Sequence, residues 1–189
     1  MKNQIIRYIN ILGIFIVSFI LMGAYYFQFA LNEYPCPLCL LQRLCFFGVI
    51  FGLLLNLKFE FKSTHYGLSI ISALLGIAIS FRQVLLHICP TPNDEGYGTP
   101  VLGMHLYSWA LVAFIISILV ISFLLLFSRQ FDANDKKDQP YWMIVLVNVS
   151  FFAAFILVTS NAVFTFMECG FGFCPDDPVK YMILHGEWW

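Results

Sequence analysis

Charge is scarce in this chain: charged residues make up 11% of its 189 residues, and the formal net charge is −1. A net charge this small argues against a nucleic-acid partner, because binding to phosphates needs clustered basic side chains. Long polar segments and internal repeats are also missing, so neither an inserted soluble domain nor a repeat array is expected. The few charges lie in short segments between long apolar runs, which indicates a chain embedded in a membrane.

Apolar residues dominate instead, at 60% of the chain, and the mean hydropathy is +0.82. A soluble domain of this length has too little interior to bury so much apolar surface. The sequence therefore predicts an all-α membrane protein, a single integral membrane domain over residues 1–189 with a tail at 168–189. Five apolar runs of about 20 residues or more can each cross a hydrocarbon core of roughly 30 Å as a helix: residues 9–31, 38–57, 66–88, 106–127 and 141–167.

The orientation of these helices follows from the basic residues. Positive side chains near helix ends favour the cytoplasmic side, so the N-terminus is predicted inside and the tail outside. The first run is longer than the core of a secretory signal, and no small-x-small cleavage pattern follows it, so an uncleaved span is expected. Of the ten basic residues, those on the inner side are Lys2, Arg7, Lys58, Lys62, Arg129, Lys136 and Lys137.

The cysteines fall mostly on the outer face. Paired thiols in an oxidising compartment are expected to form disulfides. Cys45 lies within a span among apolar residues, and we expect it to pack as a small hydrophobe. The outer cysteines make two pairs and leave Cys89 single, with no role that the sequence assigns. They lie at or beyond the outer helix ends: Cys36, Cys39, Cys89, Cys169 and Cys174.

The segment Cys36-Pro37-Leu38-Cys39 is the strongest candidate for a reactive site in the sequence. Proline is favoured in the first turn of a helix, so Cys36 is predicted at or near the helix N-cap. Both sulfurs then lie at the positive end of the helix dipole, which favours thiolates. A reactive pair at a membrane surface could pass two electrons to a molecule dissolved in the lipid. The alternatives are a plain disulfide or half of a zinc site, which would need two further ligands nearby.

Polar residues near this pair suggest a pocket. Arg43 lies one helical turn deeper than Cys39, where it could stabilise a thiolate or the developing charge on a quinone oxygen. Its alternative is snorkelling to lipid headgroups. Arg82, Gln83 and His87 at the outer end of the third helix could line the same pocket, or anchor that helix at the interface.

The tail carries the second cysteine pair. Two glycines between Cys169 and Cys174 let a six-residue ring close without backbone strain. A short ring gains little from chain entropy, so its disulfide should be easily reduced, and we expect an exchanging pair. The alternative is a static staple of the tail.

The run Cys36-Pro-Leu-Cys39-Leu-Leu-Gln-Arg43, between the first two helices on the outer face, resembles the bacterial disulfide bond formation protein B (DsbB) family. The resemblance covers residues 9–127. It implies a four-helix bundle in the bacterial inner membrane, with a quinone (ubiquinone or menaquinone) as cofactor. It also implies a periplasmic thioredoxin-fold, DsbA-like thiol oxidoreductase as partner. Cys36 and Cys39 match the quinone-linked pair, with Cys39 engaging the quinone, Arg43 beside it, and Arg82 or His87 in the third-helix part of the pocket.

The chain departs from the family in where its second pair lies. Family members carry that pair between the third and fourth helices, where this chain has only Cys89; it adds a fifth helix followed by Cys169 and Cys174. We therefore expect a membrane thiol oxidase that reoxidises a dithiol protein through Cys169–Cys174 and Cys36–Cys39, with no metal. Two alternatives are an inward electron conduit, which needs cysteines reachable from both faces, and a metal-binding membrane protein without enzymatic activity.

Overall fold

The structure is a computed structural model that describes residues 2–88, 96–131 and 140–186, with side chains from residue 4 onward. Five long helices make up most of it, and each is long and apolar enough to cross a membrane. The predicted all-α fold of five spans is confirmed. The helices are α1 (Lys2–Ala30), α2 (Pro37–Lys58), α3 (Ser63–Leu86), α4 (Leu106–Leu125) and α5 (Tyr141–Cys169).

The helix ends differ from the apolar runs by a few residues. Helix α1 already begins at Lys2, because backbone hydrogen bonds continue a helix through polar residues that hydropathy excludes. Helix α5 includes Glu168 and Cys169, which the sequence assigned to the tail. It ends at Gly170, whose φ of 61° lies in the left-handed region that glycine adopts without steric cost. Lys136, Lys137 and Cys89 lie outside the described residues.

Helix α2 is the centre of the bundle. In its most apolar stretch 61% of the residues are buried, against 44% or less in each of the other four helices. It packs against α1, α3, α4 and α5, while α5 is added on the side formed by α1 and α2. The site residues that α2 carries are therefore surrounded by protein.

Small residues let α2 and α3 approach closely. A Cβ atom added to Gly52 would lie 2.5 Å from the backbone oxygen of His65, and one added to Gly48 would overlap Ser72. Ser69 of α3 donates a hydrogen bond to the backbone oxygen of Val49 at 2.9 Å. Close backbone approach through small residues is the usual means of helix association in membranes.

Candidate functional site

The first cysteine pair opens α2. Cys36 is the N-cap residue in extended conformation, and Pro37 occupies the first turn. The Cys36 sulfur accepts a hydrogen bond from the backbone N–H of Cys39 at 3.2 Å, which satisfies one of the free N–H groups at the helix start. Cys36 and Cys39 are disulfide-bonded, with their Cα atoms 5.0 Å apart. The predicted pairing and N-cap position are both confirmed.

Gln83 of α3 contacts both sulfurs of this pair. Its Nε2 lies 3.3 Å from the Cys36 sulfur and 3.5 Å from the Cys39 sulfur. Gln42 of α2 donates from its own Nε2 to the Gln83 Oε1 at 2.8 Å, which fixes the direction of the Gln83 amide. Both glutamines are buried. The sequence put Gln83 in the pocket without a role, and its neutral amide within an apolar span was the available signal.

Arg43 is buried between α1 and α2, with 6% of its surface exposed, so it does not snorkel to the lipid headgroups. It donates hydrogen bonds to the Gln28 side-chain oxygen at 2.7 Å and the Ala24 backbone oxygen at 3.2 Å. Its guanidinium lies 4.9 Å from the centre of the Tyr25 ring. The carboxylate of Glu168 on α5 also interacts with it electrostatically.

Cys39 and Arg43 share a cavity of about 110 Å³ at the outer end of the bundle. Its walls come from α1, α2, α4 and the connections before α2 and α4, with mostly apolar and aromatic side chains, including Phe27, Phe46 and Trp109; Glu33 also lines it. A sulfur and a guanidinium therefore face the same mostly apolar space.

A larger cavity of about 1010 Å³ lies on the other side of the cysteine pair. Arg82 and His87 line it together with Cys36, so they are not in the cavity that holds Arg43. Arg82 is exposed, and the ring of His87 stacks on Tyr107 with ring centres 5.5 Å apart. The residues that the sequence placed in one pocket thus line two adjoining cavities, with Cys36 in the wall of the larger and Cys39 in the wall of the smaller.

The second cysteine pair closes the end of α5. Cys169 and Cys174 are disulfide-bonded, with their Cα atoms 4.4 Å apart, so this predicted pairing is confirmed too. The ring is less accessible than the sequence suggested. Cys169 is 5% exposed because it belongs to the last turn of the helix, whereas Cys174 is only half-buried. Phe171 and Phe173 between them are exposed, and Phe173 is fully so.

The tail folds back over the start of α2. Tyr181 accepts a hydrogen bond from Gln28 at 2.9 Å, and its ring meets that of Tyr34 edge-on at 5.0 Å. Burial raises the pKa of Tyr181, and the hydrogen bond from Gln28 acts in the opposite direction. Residues 176–179 line the larger cavity together with Cys36. Both cysteine pairs therefore lie at the same end of the bundle.

Tyr97 joins the connection between α3 and α4 to this end. Its hydroxyl donates to the backbone oxygen of Tyr34 at 2.6 Å. Burial raises the pKa of Tyr97 above its usual range, and the nearby charges of Asp177, Glu168 and Glu33 raise it further. The hydroxyl therefore remains a neutral donor at physiological pH.

The other described cysteine, Cys45, is unpaired and buried in the core cluster, as predicted. Among residues 4–88, 96–131 and 140–186, no group of three or more histidine, cysteine or acidic side chains is placed to hold a metal ion.

The fold and this site define a class of protein: a multi-pass helical membrane protein with two cysteine pairs suited to thiol–disulfide exchange. Residues 6–96 match the family model described as "Disulfide bond formation protein DsbB". That match ends before α4 and α5 begin.

Sequence similarity to curated proteins indicates the same family. A "Disulfide bond formation protein B" from Cupriavidus metallidurans is 31% identical over 137 residues, covering 57% of this chain and 85% of the relative. One from Pseudomonas syringae pv. tomato is 33% identical over 147 residues, covering 61% and 86%. Another from Cupriavidus necator is 42% identical over 77 residues, covering 40% and 48%. The chain belongs to the DsbB family, as the motif around Cys36 predicted.

Proposed function

We propose that this protein is a protein-dithiol:quinone oxidoreductase of the bacterial inner membrane, one integral membrane domain that generates disulfides. It reoxidises a periplasmic DsbA-like thioredoxin-fold protein and passes the electrons through Cys169–Cys174 and Cys36–Cys39 to a membrane quinone. The N-terminus is cytoplasmic and the tail periplasmic. The observation that carries the proposal is that Cys39 shares an apolar cavity with the buried Arg43.

The reaction begins at the tail pair. A thiolate of the reduced partner attacks Cys174, the more accessible residue of that pair, and the Cys169 sulfur leaves. The second thiol of the partner resolves the mixed disulfide, so the partner gains a disulfide and the tail becomes a dithiol. Exposed Phe171 and Phe173 offer an apolar surface for the partner beside Cys174.

The tail dithiol then exchanges with the Cys36–Cys39 disulfide. One tail thiolate attacks, one sulfur of the α2 pair leaves as a thiolate, and the second tail thiol closes the tail disulfide again. Gln83 donates toward both sulfurs of the α2 pair, so it stabilises whichever one carries the negative charge. The start of α2 adds the positive end of its dipole.

The cavity beside Cys39 suits a quinone head group. Arg43 supplies N–H donors and positive charge, Cys39 supplies the electron-donating sulfur, and aromatic side chains supply flat apolar walls. A bound quinone would accept the two electrons and two protons of the dithiol. Arg43 would stabilise the negative charge on the quinone oxygen as the dithiol is oxidised, and the α2 pair would return to its disulfide.

The proposed electron path through the tail pair is tested by replacing both Cys169 and Cys174 with Ser. The purified double variant should fail to oxidise a reduced thioredoxin-fold partner, while a small dithiol that reaches Cys36–Cys39 directly is still oxidised with added quinone. The measured quantities are quinone absorbance and free thiols. Cys89→Ser is the comparison variant and should retain most of the activity toward the partner.

Two results would contradict the proposal. An inactive Cys89→Ser variant beside a normal double tail variant would move the relay to the connection after α3. Failure of the unmodified protein to reduce quinone with any dithiol would remove the oxidase function itself.

A further inference from the structure

A carboxyl group in the last turn of α5 takes no part in the proposed exchange between partner, tail and α2 pair. Glu168 is fully buried. Within the described part of the chain, neither of its carboxylate oxygens has a hydrogen-bond partner. A buried acidic group without hydrogen bonds is costly in a membrane bundle, and such groups usually mark function.

The groups around Glu168 come from several elements. Arg43 of α2 interacts with it electrostatically, as do Tyr97 of the α3–α4 connection and Tyr181 of the tail. Tyr25 of α1 lies against the other side of the Arg43 guanidinium. Burial disfavours a carboxylate charge, and the nearby guanidinium stabilises it.

Two further polar atoms continue from Glu168 along the same face of α5. Thr165 precedes it by three residues and Asn161 by seven, which places all three side chains on one side of the helix. The Thr165 hydroxyl and the Asn161 side-chain oxygen are buried and also have no partner among the described residues. Buried polar atoms of this kind are commonly satisfied by water, which can carry a proton.

Glu168 is linked to both redox pairs through its neighbours. It immediately precedes Cys169 in the chain, and it acts on Arg43, which lies one turn from Cys39. The geometry points to Glu168 as the acid–base group for exchange between the two pairs, a role that rests on the function proposed above. It takes a proton from a tail thiol and delivers it to the sulfur that leaves Cys36–Cys39.

One exchange moves two electrons and two protons from the tail pair to the α2 pair. The Cys169–Cys174 dithiol loses two S–H bonds and gains one S–S bond, while the Cys36–Cys39 disulfide loses its S–S bond and gains two S–H bonds. Glu168 accepts the proton of the attacking tail thiol, becomes neutral, and returns to carboxylate when it protonates the leaving sulfur. The second proton follows the same path, so Glu168 is unchanged at the end.

The test is a single-turnover measurement on the purified full chain without quinone. Reduced thioredoxin-fold partner is mixed with the protein, and the appearance of free Cys36 and Cys39 thiols is followed by alkylation. Glu168→Gln should slow this transfer about 100-fold at neutral pH, the usual loss when an acid–base group is removed. Reduction of Cys36–Cys39 by a small dithiol should slow much less, because that route needs no proton taken from a tail thiol.

The pH profile separates an acid–base role from a structural one. Without Glu168 the tail thiolate must form by losing its proton to solvent, so the slow rate of Glu168→Gln should rise about tenfold per pH unit toward the ordinary thiol pKa. The unmodified protein should change far less over the same range. Glu168→Asp should restore most of the rate, and Glu60→Gln, an exposed carboxylate between α2 and α3, should have no effect.

The inference fails if Glu168→Gln transfers at the unmodified rate, or if it slows both routes equally with no dependence on pH. The latter result would make Glu168 only a structural counter-charge of Arg43. Separately, the small-dithiol route with added quinone reports on the proposed function. Its absence in the unmodified protein would remove that function, whatever Glu168 does.

Discussion

Gln83 holds its side-chain amide against both sulfurs of the Cys36–Cys39 pair, with Gln42 fixing its direction. A neutral N–H donor stabilises a thiolate more than a disulfide sulfur, because hydrogen bonds to charged acceptors are stronger. The stability of the reduced Cys36–Cys39 pair should therefore depend on Gln83.

Gln83→Leu should make the Cys36–Cys39 pair harder to reduce while leaving it able to close. Loss of a hydrogen bond to a charged group is worth about 1.5 kcal/mol, or roughly a tenfold change in the equilibrium with glutathione. Gln42→Leu leaves the Gln83 donor in place and removes only the hydrogen bond that orients it, so the effect of this variant should be smaller. Equal redox equilibria for the Gln83→Leu variant and the unmodified protein would contradict this role.

Arg43 serves charge balance as well as the proposed quinone site. Arg43→Met should lower quinone turnover and raise the apparent quinone KM, since the donor to the developing charge is lost. It should also destabilise the bundle by about 2 to 3 kcal/mol, because the buried Glu168 loses its nearby positive charge.

Adding Glu168→Gln to the Arg43→Met variant separates the two effects. The double variant should regain most of the thermal stability lost in Arg43→Met, since no unpaired charge remains, but it should not regain quinone turnover. Melting temperature and quinone KM are the measurements. An unchanged quinone KM in Arg43→Met would remove Arg43 from the quinone site.

At the scale of helices, the contact between α2 and α3 positions the redox pair against Gln83. It depends on Gly48 and Gly52, where the α3 backbone and serine side chains leave no room for a Cβ atom. A side chain at Gly48 or Gly52 would push α3 away from α2, and the same helix carries Gln83 at its other end.

Gly52→Ala should therefore destabilise the protein by about 1 to 3 kcal/mol, the usual cost of overpacking, and slow exchange at Cys36–Cys39. The matched control is Gly23→Ala in α1, where no atom beyond the adjacent backbone of α1 lies within 4 Å of the added Cβ. Thermal unfolding in detergent gives the comparison. Similar melting temperatures for the two variants would show that the α2–α3 contact tolerates a side chain.

The fifth helix and the tail act together as one element. Helix α5 packs on α1 and α2, and the tail returns to Gln28 and Tyr34 at the start of the site. The element thus supplies a cysteine pair, a buried carboxyl group and part of the cavity wall near Cys36. All three lie beyond the residues that match the DsbB family model.

At the scale of the whole molecule, the proposed orientation places both cysteine pairs on the periplasmic side, because seven of the ten basic residues then remain in the cytoplasm. A membrane-impermeant thiol reagent applied to reduced, intact spheroplasts should label Cys174, and more slowly the buried Cys169. Cys45 should stay unlabelled, since it is buried in the core. Labelling of the tail only after the membrane is broken would reverse the orientation.

The sequence by itself determined the five helices, the two cysteine pairs and the family. These features are local: a membrane span is a continuous apolar run, and both disulfides join residues three or five positions apart. The motif from Cys36 to Arg43 lies within two turns of one helix. Hydropathy and spacing therefore suffice, because the physical constraint acts along the chain.

Only the tertiary structure decided which side chains meet. Gln83 is 47 residues from Cys36, and Gln28 is 153 residues from Tyr181, so their contacts follow from helix packing and not from spacing. The same packing separates Arg82 and His87 from Arg43, and brings Glu168 of α5 near that arginine. Hydrophobicity sets which helices enter the membrane, but close backbone approach at small residues sets how they rotate against one another. That rotation decides which polar groups face the sulfurs.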